Sequence, residues 1–329
     1  MQFPFPALLC DIGGTNVRFA MAHAPGARAQ VVGLARTDDF TGLVDAARHV
    51  MREQPLAPRS LVACAAGPAL GRTLQLTNAD WRIDGVSVAR DLGLEQGLLL
   101  NDFEAMAFSL PSLGAEDVRA IGPHAPGAGC RIVLGPGTGL GVAALAEIDG
   151  RFVAMPSEAG HVDFGPVGAE QERLWPHIER FHGRVTSETV LSGPGLERLY
   201  AARLTAAGAP VRRLTAAEIT LAGLREEGEA RETLRLFWRL AARFAGDMAL
   251  VYMARGGVTL AGGVLPRIES LLDERAFRES FEAKSPMDAL ARSIPTRLVT
   301  AQQAVLHGMA AIAAQPERFA IDYGARNWR

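Results

Sequence analysis

Two stretches decide how this chain reads: Ala7-Leu8-Leu9-Cys10-Asp11-Ile12-Gly13-Gly14-Thr15-Asn16 and Arg131-Ile132-Val133-Leu134-Gly135-Pro136-Gly137-Thr138-Gly139-Leu140. In each, a short apolar run ends on a glycine-rich turn carrying a threonine, and apolar residues resume behind it, over 17–22 and over Leu140–Ile148. That pattern predicts strand, tight turn, strand. Its recurrence is a weak internal repeat, each copy opening one domain. Glycines at such turns let backbone N–H groups converge on phosphate oxygens with no Cβ in the path, and Thr15 and Thr138 add hydroxyl donors. Asp11 ends the first apolar run beside its turn, where the shell of a Mg²⁺ ion can be anchored through water.

Working outward, the hydrophobic pattern predicts strands at Gln30–Arg36, Ser60–Ala65 and 72–76, with helices over 42–52 and 86–92. The apolar run 97–100 ends on Asn101-Asp102. Phe103, Met106, Ala107 and Leu110 follow at helical spacing, so Asp102 sits at a strand-to-helix junction. Open α/β sheets place ligands at such carboxyl ends. The stretch 111–129 is rich in Pro, Gly and Ala and separates the two repeats. Beyond Ile148 the sequence reads as largely helical, over 170–182, 194–204 and 229–254. Strands follow at Gly257–Leu260, which meets Ala261-Gly262-Gly263, and at 297–300, with a last helix at 303–314 that returns to the first domain. Leu236, Leu240, Phe244 and Met248 are read as core. Asn78 and Trp81, in the loop 77–81, form either a cleft rim or a structural turn.

A length of 329 residues suggests about two domains at ~150 residues each. With 48% hydrophobic and 21% charged residues and a net charge of −2, the composition is that of a globular protein with no general field to draw it to nucleic acid or an anionic membrane. Cys10, Cys64 and Cys130 are too few and too scattered for a disulfide framework or a Cys-x-x-Cys pair, and read as buried small apolar residues. The opening residues lack a basic segment, and the apolar run behind them breaks at Asp11, so neither signal peptide nor membrane anchor is expected, and the cytoplasm is the expected compartment.

Two common nucleotide motifs are excluded. The Walker sequence needs a lysine behind its second glycine, and the chain's only lysine, Lys284, follows Glu282-Ala283 far from any glycine cluster. The Gly-x-Gly-x-x-Gly spacing fails at Gly135, because its sixth position is Leu140. Nucleotide would have to bind on the hairpin turns.

Taken in order, Asp11-Ile12-Gly13-Gly14-Thr15-Asn16, Asn101-Asp102-Phe103, Gly135-Pro136-Gly137-Thr138-Gly139-Leu140-Gly141, Ser157-Glu158-Ala159-Gly160-His161-Val162-Asp163-Phe164, Ser187-Glu188 with Leu191-Ser192-Gly193-Pro194-Gly195, and Ala261-Gly262-Gly263 resemble the successive motifs of the bacterial glucokinases. The resemblance implies a two-domain α/β fold of the actin-like ATPase (ribonuclease H-like) type with an interdomain cleft. The smaller domain would take 1–110 plus 301–329, and the larger 111–300. It implies ATP-dependent phosphorylation of glucose to glucose 6-phosphate, the entry of glucose into glycolysis, with ATP and Mg²⁺ as cofactors. Asn101, Asp102, Glu158, His161 and Glu188 would bind the sugar hydroxyls, with Asp102 as the base. Asp11, Gly13, Gly14, Thr15, Gly137, Thr138, Gly139, Gly262 and Gly263 would hold the nucleotide, and Asp11 the metal, through water. A homodimer is implied, with glucose as the partner molecule and no nucleic acid or membrane. The rivals are a kinase for another hexose or an aminosugar, and a non-catalytic sugar sensor. Retention of Asp102 beside both phosphate turns argues against the sensor. Two departures stand out: Ala159 replaces a common second glycine, and Gln302-Gln303-Ala304-Val305-Leu306 replaces Asn-Pro-Gly-Leu. No zinc-type cysteine motif and no DNA-binding extension before Ala7 is seen, which argues against a transcription regulator.

Overall fold

The computed structural model describes residues 2–67, 69–76, 80–125 and 127–328, with only the backbone at 69 and 70. Its strands are β1 Ala7–Ile12, β2 Asn16–Ala22, β3 Gln30–Arg36, β4 Ser60–Ala65, β5 Ala69–Leu70, β6 Thr73–Gln75, β7 Arg82–Asp84, β8 Gln96–Asn101, β9 Val118–Ile121, β10 Arg131–Pro136, β11 Leu140–Ile148, β12 Arg151–Ser157, β13 Gly257–Leu260, β14 Thr296–Val299 and β15 Asn327–Trp328. They form two six-stranded sheets, in the orders β15-β8-β4-β1-β2-β3 and β12-β11-β10-β13-β14-β9, and a small sheet β5-β6-β7. The chain divides into two compact units. One comprises Met1–Asp117, Leu145–Pro156 and Ala301–Arg329, the other Val118–Ala144 and Ser157–Thr300. The first therefore includes Leu145–Pro156, which the sequence reading had left in the larger domain.

In the first unit, β1 pairs antiparallel with β2 and parallel with β4, which in turn pairs parallel with β8. Parallel neighbours need crossover connections, and helices Leu43–Met51 and Gly85–Leu92 lie in these. Strands β1 and β4 are buried almost throughout, which is why they read as unbroken apolar runs rather than alternating ones. Register opposes Asp11 to Cys64 and Cys64 to Leu100, so β1, β4 and β8 finish level. Asp11 and the Asn101-Asp102 pair thus share one sheet edge. Helix Ala304–Ala314 packs on β1 and on helix Asp102–Ser109.

The outer side of β8 is covered by β15, whose Trp328 is buried. Gly85 and Gly97 make the room for it, since a Cβ built on either would lie inside the indole. Overpacking of this kind costs about 1–3 kcal/mol. Gly97→Ala is accordingly expected to lower the unfolding free energy by that amount, seen as a lower urea midpoint at unchanged slope and read by tryptophan fluorescence; an unchanged midpoint would show that the indole re-seats without cost.

In the second unit, β10, β13 and β14 run parallel and β9 closes the edge antiparallel to β14. Strand β9 lies in the stretch read as a Pro/Gly/Ala-rich separator, because four residues carry too little periodicity and tertiary pairing makes the strand. The long helix spans Glu229–Val251, with Leu236, Leu240, Phe244 and Met248 buried as their spacing predicts. The helix expected over 170–182 is shorter. It spans Gly168–Leu174 and tightens into a 3₁₀ turn at Trp175–His177, where Pro176 has no N–H to continue the ladder. Lys284 is half-buried, with its side chain largely covered, and pairs with Asp247 at 3.0 Å, a structural role. Trp81 belongs to the core of the first unit, with its indole N–H donating to the Phe40 carbonyl at 3.2 Å; Asn78 lies outside the described residues. Among the described residues, no helix is long and apolar enough to cross a membrane.

Candidate active site

In the first unit, Asp102 is the first residue of helix Asp102–Ser109, and Asn101 is its N-cap. The Asn101 Oδ1 accepts from the N–H groups of Phe103 (3.0 Å) and Glu104 (3.1 Å), and its Nδ2 donates to the Gly67 carbonyl at 3.1 Å. Glu104 closes the capping box by accepting from the Asn101 N–H at 3.3 Å. The Asn101 side chain also hydrogen-bonds the Asp102 carboxyl and works against the rise of its titration. The Asp102 Oδ1 accepts from the Phe103 N–H at 2.9 Å. Burial pushes this carboxyl above its ordinary value; the Phe103 N–H opposes the rise and the charge of Asp11 adds to it. A raised carboxylate at a strand-to-helix junction is suited to accept a proton.

Asp11 is also raised by burial, against the pull of Arg18 and of Cys64. Arg18 Nη1 lies 3.4 Å from its Oδ2 and donates to the Gln302 carbonyl at 2.8 Å. Gln302 thus takes part in bracing the first turn through its backbone, which its side-chain departure from the family pattern leaves untouched. The Cys64 thiol, pushed well up by burial, stays protonated and donates to Asp11 Oδ1 at 3.7 Å. Gly13 N–H bonds the Asn16 carbonyl at 2.9 Å, and the Thr37 hydroxyl donates to the Gly14 carbonyl at 2.7 Å, leaving Thr15 exposed at the tip. Asp11, Gly13, Gly14 and Thr15 are therefore contiguous.

In the second unit, three segments converge on the turn Gly137-Thr138-Gly139. Gly193 N–H donates to the Gly137 carbonyl at 2.8 Å, and the Leu140 N–H to Glu188 Oε2 at 2.8 Å. Gly160 sits so close to the Leu140 carbonyl that no Cβ fits between them. The third segment is the end of β13. Ala261 N–H bonds the Leu134 carbonyl at 2.8 Å, and Val264 N–H the Pro136 carbonyl at 3.2 Å. Gly262 has φ +84°, and a Cβ there would come within 2.5 Å of the Pro136 oxygen, so only glycine fits. The two glycine motifs thus form one patch lined largely by backbone, with Thr138 exposed on it and the Glu188 carboxylate against Gly139. That patch fits a nucleotide, whose phosphates need close backbone approach.

His161 Nε2 lies 3.7 Å from Glu158 Oε2, and both side chains are exposed, Glu158 at 93%. Arg184 fixes their loop by donating to the His161 carbonyl (3.2 Å) and to Asp163 (2.8 Å), and Ser187 N–H ties the Val162 carbonyl at 3.0 Å. Ala159 is buried in the second unit's core, so the methyl group is accommodated inward. Glu158, His161 and Glu188 thus belong to segments tied to one turn.

Among the described residues, no group of three or more His, Cys, Asp or Glu side chains could hold a metal. A single carboxylate such as Asp11 fits an ion held mainly by nucleotide phosphates and water, and does not fit an all-protein cage. Sequence reasoning missed Arg18, Cys64, Glu104 and Arg326. The Asn-x-x-Glu box announced Glu104, whereas Cys64 needed the strand register and Arg326 left no signal.

The solved structure of a glucokinase from an Antarctic psychrotroph is similar to this chain, with a TM-score of 0.81 and 33% identity over 94% of this chain and 99% of that one. A ROK-family glucokinase from Streptomyces griseus, solved with glucose and AMPPNP, shares the fold at TM-score 0.66 and 21% identity, over 94% of this chain and 99% of that one. Fold and site therefore define a sugar kinase of mixed α/β architecture. The glucokinase family model matches residues 8–316, and a glucokinase of Chelativorans sp. (strain BNC1) is 43% identical over 328 residues, covering 99% of this chain and 96% of the relative. The chain belongs to the glucokinase family.

Proposed function

We infer that the chain transfers the γ-phosphate of ATP to glucose, giving glucose 6-phosphate and ADP, within a two-domain actin-like fold whose domains are the two units. The observation that carries this reading is the placement of Asp102, raised by burial, at the head of an Asn101-capped helix on the sheet edge that also bears Asp11. Family membership and the glucose and AMPPNP held by the Streptomyces griseus relative support the substrate pair.

Asp102 accepts the proton of the 6-hydroxyl as that oxygen bonds the γ-phosphorus and the bond from phosphorus to the ADP oxygen breaks. Asn101, Glu158, His161 and Glu188 bind the sugar hydroxyls, so that an analogue lacking one leaves a protein group unpaired. Gly13, Gly14, Thr15, Gly137, Thr138 and Gly139 present N–H and hydroxyl donors to the phosphates, and Gly262 and Gly263 admit the adenosine side. Asp11 would hold the water shell of Mg²⁺, which when bound neutralises phosphate charge.

ATP consumption by the purified protein with Mg²⁺, measured with glucose, fructose, mannose, N-acetylglucosamine or no sugar, tests the reading. Stimulation by glucose above the others is expected, and no sugar-dependent turnover would refute it. The pH profile supplies a second check. The base must be ionised, and burial places its titration above the 3.8 of a free aspartate. The acid limb of kcat/KM for glucose is therefore expected above that value, with activity full at higher pH and lost as pH falls through the limb; a limb at or below it would contradict the assignment.

A further inference from the structure

Besides the packing of helix Ala304–Ala314 and of Phe319 on it, helix Asp102–Ser109 is held by hydrogen bonds from the side chain of Arg326. Arg326 Nη1 donates to Glu104 Oε1 at 2.7 Å, and Nη2 donates to Glu104 Oε2 and to the Leu99 carbonyl, each at 2.7 Å. Both side chains are largely buried, at 15% and 11% exposed. Leu99 lies three residues before Asp102 and Glu104 two after it, so one guanidinium grips both sides of the junction where strand becomes helix. The gripped carboxylate is the one that caps the Asn101 N–H, and the planar fork matches its two oxygens. Arg326 Nε is buried with no partner among the described residues, so the orientation of the guanidinium satisfies the junction rather than itself.

Arg326 is in turn fixed in place. Asp322 caps its short helix Tyr323–Arg326 by accepting from the Ala325 N–H at 3.1 Å, and the Tyr323 hydroxyl donates to the Pro316 carbonyl at 3.0 Å. Directly behind it, Asn327 and Trp328 pair with Leu98 and Gly97 of β8. The segment Asp322–Trp328 therefore braces both the last strand residues before Asn101 and the first helical turn after it.

We propose that Arg326 is a positioning residue for phosphoryl transfer, fixing the Asn101-Asp102 junction through Glu104 and Leu99. This rests on the reading of Asp102 as the base. Misplacement of a reacting group by about 1 Å is enough to cost on the order of 10²-fold in rate. A lost grip should therefore appear in kcat, with the nucleotide turns unaffected.

The test compares the unsubstituted protein with Arg326→Met, Arg326→Lys and Glu104→Gln, measuring kcat per folded molecule, KM for glucose and KM for ATP, with Tm alongside. Arg326→Met is expected to lower kcat about 10- to 100-fold with KM for ATP within about threefold. Arg326→Lys, which keeps the charge but cannot grip three oxygens, is expected to fall between it and the parent. Glu104→Gln should resemble Arg326→Met, and the double variant Arg326→Met with Glu104→Gln should be no slower than the worse single one, because both break one link. Added guanidinium is expected to restore part of the turnover of Arg326→Ala. An unchanged kcat per folded Arg326→Met molecule, with only Tm lowered, overturns the proposal. Should that variant not fold, Arg326→Lys decides by the same criterion. Absence of glucose-dependent turnover in the unsubstituted protein would instead overturn the underlying kinase reading, so the two failures are distinct.

Discussion

Asp102→Asn is expected to lower glucose-dependent kcat by about 10²- to 10⁴-fold, the usual contribution of a general base, while ATP binding stays within about twofold. Asparagine is nearly isosteric, and its Oδ1 can still accept the Phe103 N–H that Asp102 takes at 2.9 Å, so the helix start survives the change. Its amide cannot take up the proton of the attacking hydroxyl. Stability moves the opposite way. The folded pKa of Asp102 is raised above its unfolded value, so the native state binds the proton more tightly. Any gain is thus full below the unfolded pKa and lost as pH rises through the folded one. At neutral pH the ionised carboxylate is a burden that asparagine removes, and Tm is expected to rise by about 1–3 °C. Stopped-assay kinetics together with a thermal melt check both halves. Rapid turnover by the variant would remove Asp102 from its role, and a lower Tm would show that its charge is favourable at the helix N-terminus.

Most of the first unit was legible because its signals are local. Apolar runs of strand length closed by Gly-Gly-Thr or Asn-Asp fix both the strands and the residues at their ends, and β1, β3 and β4 fall where the pattern put them. What stayed hidden is set by pairing across long sequence separations. Strand β15 exists because Gly85 and Gly97 leave room for Trp328, and nothing in Asn327-Trp328 alone announces a strand. Cys64 reads as one more apolar residue until the register of β1 and β4 sets its thiol beside Asp11. Asn101 was read as a sugar ligand, while most of its hydrogen-bonding capacity is spent on its own helix and on Gly67.

Glu188 joins two tasks that the sequence kept apart. It was singled out as a sugar ligand, yet its Oε2 accepts the Leu140 N–H at 2.8 Å, and a Cβ on Gly139 would come within 2.6 Å of that same oxygen. The carboxylate therefore braces the Gly137–Gly139 turn with one oxygen, and on the proposed reading the other binds a sugar hydroxyl. Its backbone carbonyl accepts from the Ser192 hydroxyl at 2.8 Å, and Ser192 caps the next helix, so the side chain has little freedom to retreat. Glu188→Ala removes a charge-assisted bond to the sugar, about 1.5–3 kcal/mol, and strands the Leu140 N–H, about 1–3 kcal/mol. Together these correspond to a fall in kcat/KM for glucose of about 10²- to 10⁴-fold, with KM for ATP raised several-fold as the turn loses its brace. Glu188→Gln retains an acceptor for Leu140 and loses only the charge, so about a tenfold fall is expected, with KM for ATP unchanged. Steady-state kinetics with each substrate varied in turn separate the two tasks. A glucose kcat/KM within threefold of the parent in Glu188→Ala would leave the turn as its only duty, and an unchanged KM for ATP in that variant would show that the turn holds its shape on glycine geometry alone.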